Sequence, residues 1–490
     1  MLAKRPILIG GLGLSATLWL LDTVQFHIFD SSTLLSAIAL GSGIWWWRRQ
    51  SKSPQLGEPK LTVADRPAVE RAVAQLLTLR ATLATAVETT LSPSAQESWQ
   101  AVLAAFEQQV ADLKTGLERQ TLQIGLVGEP RSGKSTLLSH LQTGTLTAEL
   151  SAVSLNFQEF PLPADSATVP DELTHQDAVF FLTAGDLTDS AYSFLKQRLL
   201  SGQRLMLVFN KQDQYLPADR ESILQQLRQR VASLPLAATV VAIAAAPRPI
   251  KVRRHQEDGQ FKEWLEPVSA DLTALTPALG QAAADRAALV YATTLRQSET
   301  LRREMQTALN QVHREQALPL VEQLQWIAGA AAFASPVPSL DLLAAVAING
   351  QLIMDLGRVY GFQFSLEEAK TAAATLASLT VKLGLVELST QALTTVLKSH
   401  AATYVAGGVV QGLSAAYLTR LAGLSLIEHF EAAALAGQTA PTLSLEGFGQ
   451  RLQALFQQNS QGALLLRLVQ QGLERLRPAP ATQPALPAQV

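Results

Sequence analysis

Residues Thr121–Leu138 read TLQIGLVGEPRSGKSTLL. They form an apolar run, a loop bounded by two glycines, and a segment that mixes polar and apolar residues. The pattern predicts a buried strand, a tight loop and the first turns of a helix. The loop fits G-x-x-x-x-G-K-[ST], in which backbone N–H groups surround phosphate oxygens at a helix N-terminus. An ordinary glycine turn is the alternative. The predicted phosphate-loop residues are Gly128, Glu129, Pro130, Arg131, Ser132, Gly133, Lys134, Ser135 and Thr136.

Within this loop, two side chains have defined chemical roles. We expect the Lys134 ammonium to reach the β and γ phosphates and the Ser135 hydroxyl to ligate Mg²⁺. Arg131 is either a further cationic contact for phosphate or a partner, or a residue that faces solvent.

A second motif, Asn210-Lys211-Gln212-Asp213, follows an apolar run that predicts a strand. The Asp213 carboxylate can accept hydrogen bonds from N1–H and the 2-amino group of guanine, a donor pair that adenine lacks. Lys211 would lay its aliphatic stem along the base, and Asn210 would tie this loop to the phosphate loop. The two motifs together predict GTP or GDP, with Mg²⁺, as the ligand.

Composition excludes several other classes of protein. The 490 residues carry a formal net charge of −2, so no basic field favours nucleic acid. The absence of cysteine excludes disulfides and thiolate chemistry. The seven histidines show no spacing typical of a metal site.

The N-terminal region contains two apolar runs, Pro6–Leu21 and Thr33–Trp47. Lysine and arginine lie outside the pair, and the connection Asp22–Ser32 has none. The pattern predicts a transmembrane helical hairpin that anchors the chain in the lipid bilayer, with both termini and the nucleotide domain in the cytoplasm. A cleaved signal peptide and a buried soluble hairpin are the alternatives.

Beyond the hairpin, apolar periodicity and breaker residues divide the chain. Strands that alternate with helices after residue 121 predict an α/β P-loop domain with a mostly parallel sheet between α-helical regions. The predicted segments are a transmembrane hairpin at 1–50, a linker at 51–60, a helical hairpin at 61–120, the P-loop domain at 121–250, a long helical arm at 268–320, an apolar helical domain at 321–435, further helices at 436–477 and a disordered tail at 478–490.

GEPRSGKST, NKQD and AIAAAP resemble the first, fourth and fifth motifs of Era-like GTPases of the translation-factor-related class. This resemblance implies that the backbone near Ala244 and Ala245 contacts the guanine oxygen. MDLGRVYG at 354–361 and the apolar run at 404–430 resemble the hydrophobic domain of YcjF-type membrane-associated bacterial GTPases. The N-terminal hairpin resembles that of their cyanobacterial members.

The sequence departs from that family in the catalytic half of the site. Asp-x-x-Gly is expected at the end of the third strand, where this chain reads Phe160-Pro161-Leu162-Pro163-Ala164-Asp165. Asp165 and Asp171 are either substitutes or surface residues, and the switch threonine would be Thr143, Thr145 or Thr147. No residue is assigned as the group that orients the attacking water, so the catalytic residues stay unassigned.

The remaining features concern partners. Lys251, Arg253 and Arg254 form a basic cluster that would meet anionic headgroups or lie in a solvated loop. The apolar C-terminal helices either span the bilayer or pack as a buried bundle, and they offer a surface for a protein partner or self-association.

Three functions follow from these features. The first is a membrane-anchored GTPase switch with slow or partner-activated hydrolysis. The second is a dynamin-like GTPase that remodels membranes, and the third is a scaffold that binds GTP without hydrolysing it.

Overall fold

The computed structural model describes residues 64–143, 153–163, 171–234, 238–255, 261–334, 338–400, 407–438, 449, 452–457 and 467–471. The chain divides into two compact units, Met1–Thr62 and Val63–Val490, and the description below concerns the second. The predicted transmembrane hairpin, the linker, the tail, Thr145, Thr147, Asp165 and the side chain of Asp171 lie outside the described residues. Those assignments stay predictions.

A five-stranded parallel sheet forms the centre of the α/β part. Its strands lie in the order β2-β1-β3-β4-β5. Continuous apolar runs form the central strands because helices cover both faces of the sheet; every residue of β3 is buried. The strands are β1 (Thr121–Gly128), β2 (Ser154–Glu159), β3 (Ala178–Thr183), β4 (Arg204–Phe209) and β5 (Thr239–Ala242). The predicted α/β class with a parallel sheet is confirmed.

Helices α1 (Arg66–Thr90) and α2 (Pro93–Gly116) precede the sheet and meet at the predicted break. The helices within the α/β part are α3 (Lys134–Gln142), α4 (Asp171–Thr174), α5 (Asp189–Leu200) and α6 (Pro217–Ala232). β2 pairs with β1 in parallel from Thr121↔Ser154 to Leu126↔Glu159. One described strand therefore stands where two were expected, near 150–155 and 157–162.

An antiparallel hairpin, β6 (Ile250–His255) and β7 (Phe261–Glu266), follows the sheet. The hairpin begins at residue 250, where the P-loop domain was predicted to end, and its first strand contains the predicted basic cluster. Lys251 and Arg253 both form ion pairs with Glu263 on the facing strand. The cluster is therefore part of a paired β-ribbon rather than a solvated loop.

After α7 (Leu275–Ala284), helix α8 (Arg286–Ala334) runs for 49 residues. The predicted arm ended at residue 320, but α8 contains Pro319 in its interior and continues to Ala334. Packing explains the continuation, because Ala317 and Val321 on either side are buried in the helical core, which offsets the proline penalty of about 3 kcal/mol. The N-terminal half of α8 packs against α1 and α2 in a separate apolar cluster.

The described C-terminal region is helical, as predicted. It contains α9 (Pro338–Val359), α10 (Leu366–Lys382), α11 (Leu385–His400) and α12 (Gly407–Leu435). Small residues bring α8 and α12 together: a Cβ added at Gly329 would lie 3.0 Å from the Gly412 carbonyl oxygen and 3.2 Å from the Ala416 Cβ. Within the described residues, no single helix meets the length and hydropathy expected of a membrane span, whereas the bent pair α10–α11, at 63°, meets them jointly.

Candidate functional site

The predicted phosphate loop connects the end of β1 to the start of α3. Gly133 caps α3 with a φ of 92°, and Arg131 also lies in the left-handed region, with a φ of 64°. A Cβ at Gly128 would lie 2.2 Å from the Leu182 carbonyl oxygen, and one at Gly133 would lie 2.2 Å from Asn210 Nδ2. Both glycines are therefore required by close approach of neighbouring strand ends.

Two polar side chains of the loop have contrasting surroundings. Lys134 Nζ donates to the carbonyl oxygens of Gly128 and Glu129, at 3.1 and 3.0 Å. Ser132 is buried, and its Oγ has no hydrogen-bond partner within the described residues. Pro130 and Arg131 are exposed, and Thr136 lies in the first turn of α3.

Asn210 joins the two predicted motifs. Its buried side chain donates through Nδ2 to the Ser132 carbonyl oxygen at 2.8 Å. Its Oδ1 accepts from the backbone N–H of Lys211 at 2.8 Å and of Ala245 at 3.0 Å. One amide therefore fixes the phosphate loop, the end of β4 and the segment after β5 relative to one another, as expected of the first residue of N-K-x-D.

Asp213 has one satisfied and one unsatisfied carboxylate oxygen. Oδ2 accepts from the backbone N–H of Arg248 at 3.0 Å. Oδ1 is buried and has no partner among the described residues. A buried carboxylate oxygen without a donor is costly, so this atom indicates a missing hydrogen-bond donor beside the loop.

The segment after β5 shows which backbone N–H groups are available for the predicted contact with the guanine oxygen. The Ala244 N–H donates to the Asp271 carbonyl oxygen at 2.9 Å, and the Ala245 N–H donates to Asn210. Ala246 is exposed, and its N–H makes no hydrogen bond to the described part of the chain. Ala246 therefore offers the free donor nearest to the two predicted residues.

Glu159 is a site residue that the sequence interpretation missed. It is the last residue of β2, and its Oε1 accepts a hydrogen bond from Ser135 Oγ at 3.1 Å. The Asp-x-x-Gly motif was expected within 160–165, and the carboxylate beside Ser135 lies one residue before that stretch. The available signal was topological, because parallel strands end at the same edge of a sheet.

Ser135 and Glu159 carry the oxygen ligands that suit a magnesium ion. Hydroxyl and carboxylate oxygens are the ligands that Mg²⁺ prefers, with phosphate oxygens and water completing its octahedron. No cluster of three or more histidine, aspartate or glutamate residues capable of holding a metal occurs among the described residues. Ser135 and Glu159 could therefore hold Mg²⁺ only together with a bound phosphate, which would supply further ligands.

Other residues take positions around this edge. Glu129 Oε1 accepts from Thr188 Oγ1 at 2.7 Å, which joins the phosphate loop to the N-terminus of α5. Thr143 caps the C-terminus of α3, at the opposite end of the helix from the loop, and its Oγ1 donates to the His140 carbonyl oxygen at 2.9 Å. Of the three candidate threonines, the described one is therefore remote from the phosphate loop.

The fold and site define an α/β protein with a P-loop-type strand–loop–helix unit at the carboxyl edge of a parallel sheet, followed by a helical C-terminal region. Residues 296–461 match the family described as Domain of unknown function (DUF697). The match covers about a third of the chain, from the middle of α8 onward. No curated protein matches the chain.

Proposed function

We propose that this chain is a membrane-anchored guanine-nucleotide-binding protein that acts as a GTPase switch. The observation that carries the proposal is the buried Oδ1 of Asp213, which has no partner in the described part of the chain. A guanine base supplies the missing donors through N1–H and its 2-amino group, and adenine does not. The Ala246 N–H is the donor for the guanine oxygen, because those of Ala244 and Ala245 are engaged.

The phosphate end of the site supports the same ligand. The Lys134 ammonium now donates to two neutral carbonyl oxygens. Phosphate oxygens are stronger acceptors for an ammonium group, so GTP would draw Lys134 toward the β and γ phosphates. Mg²⁺ would bind Ser135, and Glu159 would orient the ion through its water ligands.

Hydrolysis would be slow or dependent on a partner. Glu159 supplies a carboxylate where the family places an aspartate, which weakens the case for a scaffold without turnover. No side chain among the described residues is assigned to orient the attacking water. A partner or a membrane surface would complete the catalytic half of the site.

Nucleotide binding would reach the helical regions through a buried charge cluster. Asp177, at the start of β3, is fully buried and pairs with Arg119 at the end of the α1–α2 region. Arg296 of α8 donates to the carbonyl oxygens of Gln176 at 2.9 Å and Gly202 at 3.2 Å. Burial lowers the pKa of Arg296 to about 10. These groups attach α8 to the amino ends of β3 and β4, so a change at the carboxyl edge would reach α8 through the strands themselves.

The family match also supports the proposal. The DUF697 domain occurs in YcjF-like GTPases, and the resemblance of the N-terminal region to a transmembrane hairpin implies an anchor for such a protein. The nucleotide domain would then face the cytoplasm, where GTP is available.

The test is a nucleotide panel on the full-length protein in detergent, with Asp213→Asn and the control Asp219→Asn at an exposed position on α6. In the wild type and in the control, we expect the affinity for GTP and GDP to exceed the affinity for ATP by a factor on the order of 10⁴. Asp213→Asn should lose guanine preference and gain affinity for xanthine nucleotides. Equal binding of ATP and GTP, or an Asp213→Asn variant with unchanged preference, would refute the guanine assignment.

A second candidate function is dynamin-like membrane remodelling. The observation in its favour is α8, whose 49 residues extend from the α/β part into the helical domain beside the α1–α2 hairpin. Liposomes added to the protein with GTP distinguish the functions. Tubulation with stimulated phosphate release favours remodelling, and tight GTP binding with no phosphate release favours the scaffold.

A further inference from the structure

A cavity of about 460 Å³ lies within the C-terminal helical domain, remote in sequence from the nucleotide motifs. Five helices, α8 to α12, contribute to its wall. Alanine, valine and leucine side chains dominate the lining, represented by Ala331, Ala345, Ala377, Val386, Ala415 and Leu418. A volume of this size is within the range of about 300–1,000 Å³ that small-molecule sites occupy.

Three hydroxyl groups in the wall, those of Thr380, Thr390 and Ser414, are bonded within the protein. Thr380 Oγ1 donates to the Ala377 carbonyl oxygen at 2.7 Å, and Thr390 Oγ1 donates to the Val386 carbonyl oxygen at 2.8 Å. The Ser414 hydroxyl lies 2.7 Å from that of Ser389. These groups therefore add little polarity to the cavity.

Asn349 is the exception. Among the described side chains that line the cavity, it alone has a buried polar atom, Oδ1, without a hydrogen-bond partner. The wall also contains Thr419 and the exposed Gln411, so it is mostly apolar, and Asn349 Oδ1 is its buried acceptor without a partner in the described part of the chain.

The cavity reaches the surface at the corner between α10 and α11. Val381 and Val386 both line it, and they are 63% and 44% exposed. Leu388, also on α11, is 45% exposed. Gly384, with a φ of 64°, makes the corner. The two helices that meet there form the bent pair whose combined length and hydropathy resemble a membrane segment.

The polarity of the wall decides between occupants. A peptide segment would bury several amide groups, each a donor and an acceptor, and the few polar side chains of this mostly apolar wall cannot satisfy them. An alkyl chain brings no polar group into the cavity. A cavity of about 150 Å³ holds one benzene ring, so this one holds about three times as many carbon atoms, on the order of 18.

We propose that this cavity binds the acyl chain of a lipid, which enters at the α10–α11 corner. The polar headgroup stays at the surface, beside the exposed residues Lys382 and Glu387. Because these two carry opposite charges, the site selects for the chain rather than for the sign of the headgroup. The proposal is independent of the nucleotide assigned to the other site.

The test uses photo-cross-linking of the full-length protein in phospholipid nanodiscs. In one arm, a phospholipid carries a diazirine at the end of a palmitoyl chain; in the other, free palmitic acid carries the same group. After irradiation, mass spectrometry maps the labelled peptides. Ala377→Trp and, from the opposite wall, Ala345→Phe fill the cavity, and Ala374→Trp adds the same indole to the exposed face of α10.

We expect labels on cavity residues of α8, α9 and α12. Labelling by the phospholipid identifies the bilayer as the source of the chain, and labelling by palmitic acid alone identifies a free fatty acid. Both filling variants should reduce cavity labelling by at least about tenfold, because exclusion of two buried methylenes alone costs that factor. Ala374→Trp should not.

Two results would overturn the proposal. One is labelling confined to exposed corner residues such as Leu388 in the wild type, which is read without any variant. The other is cavity labelling that persists in a filling variant with wild-type circular dichroism. A filling variant that loses its helical signal is replaced by the other, since they act from different helices.

Discussion

The carboxyl edge of the sheet and the interior of the C-terminal bundle differ in what surrounds their unpaired polar groups. At the sheet edge, Asp213 Oδ1 and Ser132 Oγ are buried without partners among the described residues, and Arg131 and Lys211 hold left-handed backbone conformations nearby. The bundle also buries polar atoms with no partner in the described part of the chain, such as Tyr417 Oη, but they lie in regular helices. Unpaired groups coincide with strained non-glycine backbone at the sheet edge, where we assign the polar ligand. The cavity of the bundle has a mostly apolar wall, where we assign the apolar one.

Gly133→Ala is the strongest test of the polar site at the sheet edge. The new Cβ would meet Asn210 Nδ2 at 2.2 Å in a backbone with a φ of 92°. We expect GTP affinity, measured by displacement of a fluorescent analogue, to fall by more than about 100-fold, because the loop and the guanine motif separate.

Gly202→Ala is the matched control for backbone conformation alone. Its φ is 74°, and nothing lies within 4 Å of the added Cβ. It should cost about 1 kcal/mol of stability and leave GTP affinity unchanged. Equal loss in both variants would show that strain, and not the contact with Asn210, controls binding.

Glu159→Gln examines the newly found carboxylate. The substitution keeps the size of the side chain and removes its charge beside Ser135. We expect the Mg²⁺ concentration for half-maximal GTP binding to rise by about 10- to 100-fold. Glu172→Gln, at an exposed position on α4, should match the wild type. An unchanged magnesium requirement in Glu159→Gln would limit this residue to a structural role.

Gly423 and Gly350 allow a similar comparison of a crowded and an open glycine within the bundle. A Cβ at Gly423 would lie 2.6 Å from Val321 Cγ1, and Val321 is buried and β-branched. Gly423→Ala should lower the free energy of unfolding by about 1–3 kcal/mol. At Gly350 the nearest atom would be 3.8 Å away, so Gly350→Ala should raise it by about 0.5–1 kcal/mol. Urea unfolding followed by circular dichroism measures both. Changes of the same sign would contradict the described packing of α8 on α12.

A gradual effect is expected from the pH dependence of His313. Burial lowers the pKa of His313 to about 4, and its ring lies edge-on to Tyr360. Below its unfolded pKa of about 6.5, the unfolded chain binds the proton first, so stability falls as pH falls from about 6.5 to 4. After allowance for partial exposure, we expect a loss of about 1–2 kcal/mol.

His313→Phe isolates this contribution. Glu431, which accepts from Tyr360 and pairs with Arg314, has a pKa that burial raises, and it opposes the histidine effect in both proteins. The difference between wild type and variant across pH 4 to 6.5 therefore reports His313. Parallel stability curves would exclude the histidine as the cause.

Local patterns predicted the features that depend on contiguous residues. The loop between Gly128 and Ser135 needs one strand, one turn and one helix start, all adjacent in sequence, and the break before Pro93 between α1 and α2 is equally local. The parallel sheet followed from the alternation of apolar runs with helical segments. The contact of Asn210 with the phosphate loop was also anticipated.

Features set by strand pairing or tertiary packing were missed. Glu159 reaches Ser135 because of the β1–β2 register, which the sequence does not display. Asp258-Gly259 between two alternating segments is a signal for the β6–β7 hairpin, whereas the basic residues of the same stretch predicted only a charged cluster. Helix α8 passes Pro319 because of packing partners distant in sequence.

Helix α8 also restricts how this protein can be divided. The DUF697 match begins at residue 296, inside a helix that starts at Arg286. A chain cut there would lose the first turns of α8 and, with them, the partners of Leu301, Met305 and Leu309 on α1 and α2. The sequence-family match and the packed helical unit therefore have different borders here, and truncated chains should begin before α1 rather than at residue 296.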